Sequence, residues 1–416
     1  MILVFLLLPV VQKQFQLIEL SPLKGSFDVV ECPNLTMKDW FDGDYQERQQ
    51  EYLDKNFGFR NLSIRLFNQL QYMLYNVTNA KGVEIGKEGY LFEGGYIRDY
   101  MGISFIGEES INDKLLNIKK IQNELKQDDV NLIVAFAPGK ASYFPEYFPE
   151  EYDASKKTIS NYLYYAAQCQ ELEIDFIDFN ADFIQYKETI PYKLFSKGGI
   201  HWGEYGVALA LDSLSSHIES KRGIKMPEFG YKETTFPSNL RDEDKDIANA
   251  MNLLFEYPSY KMAEPNYVFT KQANTVQPKL LIIGDSYGYG LTNSPIINNI
   301  FSKVEFWYYN KEVKPKRKLQ SDKVKDLNVK EEVRKFDVVL LLSTETNLFK
   351  FDFGFTESYN ESYKETKIEL EHIIQSIKAN EKWFSSIKAK AKEKKISLDE
   401  ALKRDAKYII SKKKKE

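Results

Sequence analysis

The chain has 416 residues, enough for one large domain or two of ordinary size. Its residues are 43% hydrophobic and 14% aromatic, which is ample material for a core and argues against a disordered chain. Acidic and basic residues nearly balance to a net charge of -4, so we expect no nucleic-acid partner. The lysine run at 412–415 is interpreted as a solvated end, with attraction to anionic lipid headgroups as the alternative.

Residues 2–11 form an apolar run that Pro9 interrupts. The run is shorter than the ~20 residues of a membrane-spanning helix, and it lacks the basic leader of a signal peptide. It can be the tail of a longer signal anchor, a short secretory segment or a buried helix. We favour an N-terminal anchor and a location in the cell envelope, because a polar segment follows directly from Gln12.

Taken in chain order, residues 40–74 read as helical with a break at 57–60, and two short runs at 83–86 and 89–92 predict a hairpin. Helical stripes and apolar strand-like runs then alternate. The predicted strands lie at 130–136, 174–177, 279–283, 304–308 and 338–342, and the predicted helices at 111–125, 162–172 and 207–218. This order predicts an α/β fold with a mostly parallel sheet and helices on both faces.

The domain organisation predicted from these patterns has three parts. Residues 1–39 are the remnant of an anchor or signal with a linker, and 40–367 form the α/β domain. Residues 223–278 lack periodicity and are interpreted as an insertion within that domain. Residues 368–416 form a helical tail, in which Ser397 is placed to cap the last helix.

A candidate nucleophile stands where the predicted strand at 279–283 ends. Gly284 breaks the strand, and Asp285 and Ser286 follow at once. If a helix starts here, the backbone N–H groups of Ser286 and Gly288 can face a developing oxyanion. The alternative is a plain strand-to-helix turn in which Ser286 only caps the helix.

A serine needs a base, and the chain has three histidines. His217 and His372 lie on amphipathic helices, as surface or boundary residues do. His201 differs, because it lies in a glycine-rich loop that opens a helix, a position suited to a general base. We therefore pair His201 with Ser286.

No metal site or cofactor is expected. Three scattered histidines and two cysteines give no ligand spacing, and no glycine-rich phosphate loop is present. Cys32 and Cys169 are interpreted as free thiols, with one long-range disulfide as the alternative.

A His-Trp motif at His201 followed far downstream by Gly-Asp-Ser at 284–286 resembles the alginate O-acetyltransferases and their relatives in the SGNH hydrolase superfamily. Residues 40–46 and 56–60 are similar to that family's N-terminal segment. Residues 85–92 are similar to its G-K-x-G-[WY]-L-F hairpin, and 138–143 to its P-x-K strand end. The resemblance covers about 40–353 and implies a flavodoxin-like SGNH fold. It also implies O-acetylation of an exopolysaccharide or envelope glycan, with a membrane-bound O-acyltransferase as the partner that supplies acetyl groups.

The sequence departs from the family at one position. The family writes Asp-x-His-Trp, and its Asp orients the His, but this chain has Gly199 there. Another acid can take the role, and Asp285, Glu345 and Glu204 are the candidates. The site can otherwise run as a Ser-His dyad, or the protein can have kept glycan binding or an assembly role without catalysis.

Two further points follow from the resemblance and from the strand ends. Asn347, soon after the strand at 338–342, can offer its amide to the oxyanion. Plain hydrolysis, as in a carbohydrate acetylesterase, is the alternative to transfer.

Overall fold

The structure is a computed structural model that describes residues 2–25, 30–270, 272–317, 321–394 and 396–413. Its strands are β1 Val83–Ile85, β2 Leu91–Glu93, β3 Asn131–Ala137, β4 Phe176–Asp178, β5 Glu228–Thr235, β6 Glu264–Thr270, β7 Lys279–Gly284, β8 Lys303–Tyr308, β9 Glu312–Lys314 and β10 Val338–Thr344. The helices of the first half are α1 Ile2–Phe15, α2 Met37–Asp42, α3 Asp44–Asn56, α4 Arg60–Tyr75, α5 Gly94–Tyr100, α6 Glu108–Gln127, α7 Lys140–Tyr143, α8 Asn161–Glu171 and α9 Phe179–Tyr186. Those of the second half are α10 Glu204–Arg222, α11 Asp246–Ala250, α12 Tyr287–Asn293, α13 Ile297–Ile300, α14 Val329–Val333, α15 Phe355–Ala379, α16 Glu381–Glu393 and α17 Leu398–Lys413.

A six-stranded sheet in the order β4-β3-β10-β7-β8-β9 forms the centre of the fold. All of its pairs are parallel except β8 with β9. Successive residues of β10 enter two different cores: Leu340 packs in the one beneath α10 and α12, and Val339 and Leu341 in the one beneath α6 and α8. Both faces of the sheet are therefore covered, which confirms the predicted α/β class.

The carboxyl ends of β3, β7 and β10 meet at one edge of the sheet. Gly284 at the end of β7 pairs with Leu342, and Ala137 at the end of β3 pairs with Thr344. A side chain at Gly284 would run into the backbone carbonyl of Leu342, so this position needs glycine. In open α/β sheets ligands bind outside this edge, which is where Ser286 lies.

Residues 223–278 are more regular than the sequence indicated. They contain the antiparallel hairpin β5–β6, a 3-10 helix at Asp242–Lys245 and the short helix α11. The hairpin was missed because its strands carry many exposed polar residues and little alternation.

Both ends of the chain can be compared with the predictions. The break at 57–60 is confirmed between α3 and α4, whereas the C-terminal helix begins at Phe355 and not near 368. The last three helices share a small core of their own around Ile377, Ile387 and Leu402, and the Ser397 hydroxyl accepts a hydrogen bond from the Glu400 N–H. Cys32 and Cys169 are free, while the lysines at 412–415 lie outside the described side chains. Within the described residues, no helix combines the length and apolarity needed to cross a bilayer.

Candidate active site

Ser286 lies at the turn between β7 and α12, at the carboxyl edge of the sheet. Its hydroxyl oxygen is 2.9 Å from Nε2 of His201. His201 comes from the loop before α10, 85 residues earlier in the chain. The fold thus brings together the two segments that the sequence paired.

The other two histidines lie elsewhere. Nε2 of His217, on α10, is 2.7 Å from a carboxylate oxygen of Asp175. His372 is exposed on α15. Neither contacts Ser286.

The carboxylate beside His201 belongs to Asp246, the first residue of α11. Its Oδ2 is 2.6 Å from Nδ1 of His201, and its Oδ1 accepts the backbone N–H of Ile200 at 2.9 Å. Asp246 therefore holds both the ring and the backbone of the loop that carries it. Ser286, His201 and Asp246 form the arrangement of a nucleophile, a base and an orienting acid.

The three acids proposed from the sequence for this position bond elsewhere, and that prediction is corrected. Asp285 accepts hydrogen bonds from the N–H and the hydroxyl of Thr344 at 2.8 and 2.7 Å. These bonds link the end of β7 to the end of β10. Glu204 pairs with Arg241 at 2.7 Å. Glu345 accepts a hydrogen bond from Ser142 in a separate buried cluster.

Gly199 is the position where the resemblance to the acetyltransferase family predicts an acid. A Cβ added there would lie 2.6 Å from the carbonyl oxygen of Glu243 and 2.7 Å from the carbonyl carbon of Asp244. No carbon atom fits at these distances without a backbone shift. The segment that delivers Asp246 therefore occupies the space that a side chain at position 199 would need.

The loop that carries His201 is hydrogen-bonded along its length. The buried amino group of Lys140 donates to the carbonyls of Lys197 and Gly199 at 2.7 and 2.8 Å, and the Tyr287 hydroxyl donates to the carbonyl of Ile200 at 2.5 Å. The N–H of Ala248, on α11, donates to the carbonyl of Gly198 at 2.9 Å. These bonds fix the backbone on either side of His201 and so limit where its ring can point.

The charges around His201 favour its protonated form. Burial of the ring lowers its pKa, but the hydrogen bond to Asp246 and the negative charges of Asp246, Asp285 and Glu93 outweigh this. The net result is a pKa of His201 above its ordinary value. Desolvation, followed by the neighbouring charge of Asp246, raises the pKa of Glu93.

The three proposed oxyanion donors differ in whether their N–H groups already donate a hydrogen bond within the protein. The N–H of Gly288 donates to the carbonyl of Asp285 at 3.1 Å, and the amide of Asn347 donates to the Asp285 carboxylate at 2.8 Å and to Thr344 at 3.1 Å. Among the described residues, the N–H of Ser286 makes no hydrogen bond. Of the three donors, only the Ser286 N–H is thus without an acceptor in the described chain, while Gly288 and Asn347 already have acceptors.

An open cavity of about 440 Å³ lies over the Ser286 hydroxyl. Its walls include Lys81, Glu93, Tyr309, Asn347 and Phe349. Phe349 is 48% exposed, and Tyr309 is half-buried. Flat aromatic faces beside polar groups suit a ligand with both apolar and hydrogen-bonding surfaces. Within the described residues, no group of three histidine, cysteine or acidic side chains is arranged to hold a metal ion.

The sequence analysis did not find Asp246. Its contact with His201 joins residues 45 apart, and Asp246 lies within 223–278, where the sequence shows no periodicity. A signal was nonetheless present, because an acidic run at 242–246 ends where the apolar pair Ile247 and Ala248 begins. Acidic residues directly before apolar ones are typical of a helix start.

Comparison with protein families places the chain. Residues 83–290, half of its length, match the family described as "SGNH hydrolase-like domain, acetyltransferase AlgX". The chain belongs to this family. The matched region includes Ser286, His201 and Asp246, and its SGNH-like α/β fold agrees with the sheet described above.

Several curated proteins named "Probable alginate O-acetylase AlgJ" are similar to this chain. The protein from Pseudomonas aeruginosa is 25% identical over 43% of this chain and 43% of its own length. The one from Azotobacter vinelandii is 24% identical over 62% of this chain and 64% of its own length. The matches thus span less than two thirds of these relatives.

Solved structures also resemble the chain. The O-acetyltransferase domain of Pseudomonas putida AlgJ is 19% identical, with a TM-score of 0.44, and covers 67% of this chain and 99% of that domain. Pseudomonas aeruginosa AlgX is 13% identical, with a TM-score of 0.43, over 66% of this chain and 67% of its own.

Proposed function

We propose that this protein transfers acetyl groups to hydroxyls of an exopolysaccharide or cell-envelope glycan, through Ser286 activated by His201. The observation that carries the proposal is the unbroken chain of contacts from the Ser286 hydroxyl through His201 to Asp246, open to a cavity. The family match and the names of its relatives favour an acetyl group and a polysaccharide acceptor.

In the first step the Ser286 oxygen attacks the carbonyl carbon of an acetyl donor, and His201 Nε2 takes the hydroxyl proton. The tetrahedral intermediate places its negative oxygen near the backbone N–H of Ser286. When the intermediate collapses, the bond to the donor breaks and the His201 proton leaves with the donor group. An acetyl ester on Ser286 remains.

In the second step a sugar hydroxyl enters the cavity and attacks the acetyl ester. His201 takes the proton of that hydroxyl and returns it to the Ser286 oxygen as the ester bond breaks. Asp246 stabilises the imidazolium that forms in each step and holds the ring in the tautomer with the proton on Nδ1. With water in place of the sugar, the same sequence of steps is ester hydrolysis.

The proposal extends to place and partner. We propose that the protein works in the cell envelope, anchored to the membrane near its N-terminus, and that a membrane-bound O-acyltransferase supplies its acetyl groups. The apolar residues of α1 support the anchor. The partner class is what the resemblance of the His201 and Gly284–Ser286 motifs to the alginate O-acetyltransferases implies.

A chromogenic acetate and an oligosaccharide acceptor test the proposal with the purified chain. We expect release of the chromophore together with an acetylated oligosaccharide in the mass spectrum. Both should be lost in Ser286→Ala and His201→Ala and kept in Ser302→Ala, a control at an exposed serine. Free acetate without an acetylated sugar would indicate an esterase. Equal chromophore release by wild type and Ser286→Ala would remove the catalytic role and leave glycan binding.

A further inference from the structure

Helix α4 carries its polar and apolar residues on the opposite sides from those of an ordinary surface helix. Its inward side is mainly polar, with Arg65, Asn68 and Gln69 hydrogen-bonded to the backbone of residues 251–255 beside Tyr72, which packs on Tyr257. Its outward side is apolar and exposed. We call this side the α4 outer face, and it consists of Leu66, Phe67, Leu70, Met73 and Leu74.

The exposure is large for side chains of this size. Met73 and Leu74 are each 67% exposed, and Phe67 is 55% exposed. The spacing of Leu66, Leu70 and Met73 puts these residues along one stripe of the helix. Turning the helix over would break the hydrogen bonds that Arg65, Asn68 and Gln69 make with residues 251–255, and would leave those backbone groups without partners. The polar contacts thus fix the α4 outer face in its exposed position, and an exposed apolar face of this kind marks an interaction site.

The charge around the helix points to what covers it. Between Asn56 and Val83 the chain has no acidic residue and three basic ones. Arg65 faces inward and donates to the carbonyls of Pro22 and Leu253, whereas Arg60 begins α4 and Lys81 lies in the loop after it. None of the three pairs with a carboxylate within the described chain. Two copies packed through this face would bring like charges together. Anionic lipid headgroups would neutralise Arg60 and Lys81 instead.

A second apolar element lies at the same end of the molecule. Helix α1 contacts the start of α4, because the backbone of Pro9 and Lys13 packs against Gly58. Leu7 and Val10 of α1 are 54% and 62% exposed. The loop after α4 leads directly to Lys81 and Val83, which line the cavity over Ser286.

We propose that the α4 outer face lies in the interface of an anionic lipid bilayer, as a membrane contact separate from α1. The contact would hold the mouth of the Ser286 cavity near the membrane surface. It does not depend on the chemistry at Ser286, so either proposal can fail alone.

A site-specific fluorophore tests the contact in the full chain. In a Cys32→Ser background, Met73→Cys is labelled with an environment-sensitive dye and mixed with phosphatidylglycerol-containing vesicles that carry brominated acyl chains. We expect quenching at position 73 and none for the control Ile103→Cys, which is 66% exposed. Absence of quenching at position 73 overturns the proposal, whether the face stays in water or is shielded by a protein. A lipid-free dimer that shields the label also overturns it.

A binding measurement gives an independent answer. The triple variant Leu66→Gln, Leu70→Gln, Met73→Gln should bind the same vesicles more than about tenfold more weakly than wild type, since it removes much of the apolar area. Its hydrolysis of a chromogenic acetate in solution should be unchanged. Wild-type vesicle affinity in this variant would contradict the proposal.

Discussion

Removal of the Asp246 carboxylate tests the dependence of the Ser286–His201 pair on its third member. In Asp246→Asn the side chain keeps its size, but the amide can donate to Nδ1 and so favour the tautomer whose Nε2 proton faces Ser286. That tautomer cannot accept the serine proton. In hydrolases with this arrangement the loss lowers kcat by on the order of 10⁴-fold.

The expected magnitude here is somewhat smaller. The side chains of His201 and Asp246 are 21% and 30% exposed, so water can partly replace the carboxylate. We expect kcat for a chromogenic acetate to fall by roughly 10³-fold, about 4 kcal/mol of transition-state stabilisation. Asp242→Asn, at an exposed acid in the adjoining 3-10 helix, is the matched control and should keep full activity. A kcat for Asp246→Asn within about tenfold of wild type, with Ser286→Ala inactive, would refute the reasoning.

The double variant Gly199→Asp, Asp246→Ala has different expected outcomes from the family's sequence pattern and from the structure. Judged by sequence alone, Gly199→Asp should restore activity to Asp246→Ala, because it recreates Asp-x-His-Trp. The structure predicts no rescue and a lower unfolding midpoint, since the new Cβ would lie 2.6 Å from the Glu243 carbonyl oxygen. Overpacking of this kind costs about 1–3 kcal/mol. Recovery of activity in the double variant would show that the 243–246 segment moves aside readily.

Three further predictions follow from buried or charged groups. Because only neutral His201 accepts a proton, kcat/KM should rise with pH through the elevated pKa of His201. In Asp246→Asn the inflection of the kcat/KM profile should move to lower pH, and an unmoved inflection would contradict this. Lys140→Met should lower kcat by roughly tenfold with KM nearly unchanged, since the His201 loop loses two hydrogen bonds; lower stability at full kcat would limit Lys140 to a structural role. Burial raises the pKa of Glu345 to about 7, so the protein loses stability as pH rises from about 4.5 to 7 and this carboxyl ionises. The free energy of unfolding of Glu345→Gln should therefore exceed that of wild type by about 3 kcal/mol at pH ~8 but not at pH ~4. Urea midpoints of the two proteins that change in parallel with pH would contradict this.

The sequence was sufficient for the parts of the fold that depend on local patterns. The strands β3, β7 and β10 are continuous apolar runs, which is how strands buried on both faces read. Gly284 and Ser286 then followed from the end of β7. The pairing with His201 came from composition, since only one histidine lies in a glycine-rich loop.

What the sequence could not provide depends on contacts between distant segments. Asp246 reaches His201 because the hairpin β5–β6 and the 3-10 helix fold segment 241–250 back over Gly198 and Gly199. The sequence of residues 223–278 has no periodicity from which this fold of the segment could have been predicted. The same limit applies to α4, which was predicted as helical, but the outward direction of its apolar side depends on polar contacts with residues 251–255.

The glycine at position 199 and the acid at position 246 are two sides of one arrangement. An imidazole needs a carboxylate at its Nδ1, but nothing in that requirement fixes where in the chain the carboxylate originates. Here Oδ1 of Asp246 also accepts the N–H of Ile200, a bond that holds the backbone beside the ring. For that carboxylate to come so close, the backbone at 243–244 must touch position 199, and only glycine leaves the space. A chain with both Gly199 and Asp246 is thus physically consistent, whereas either one alone would leave His201 without an acid or the two segments in collision.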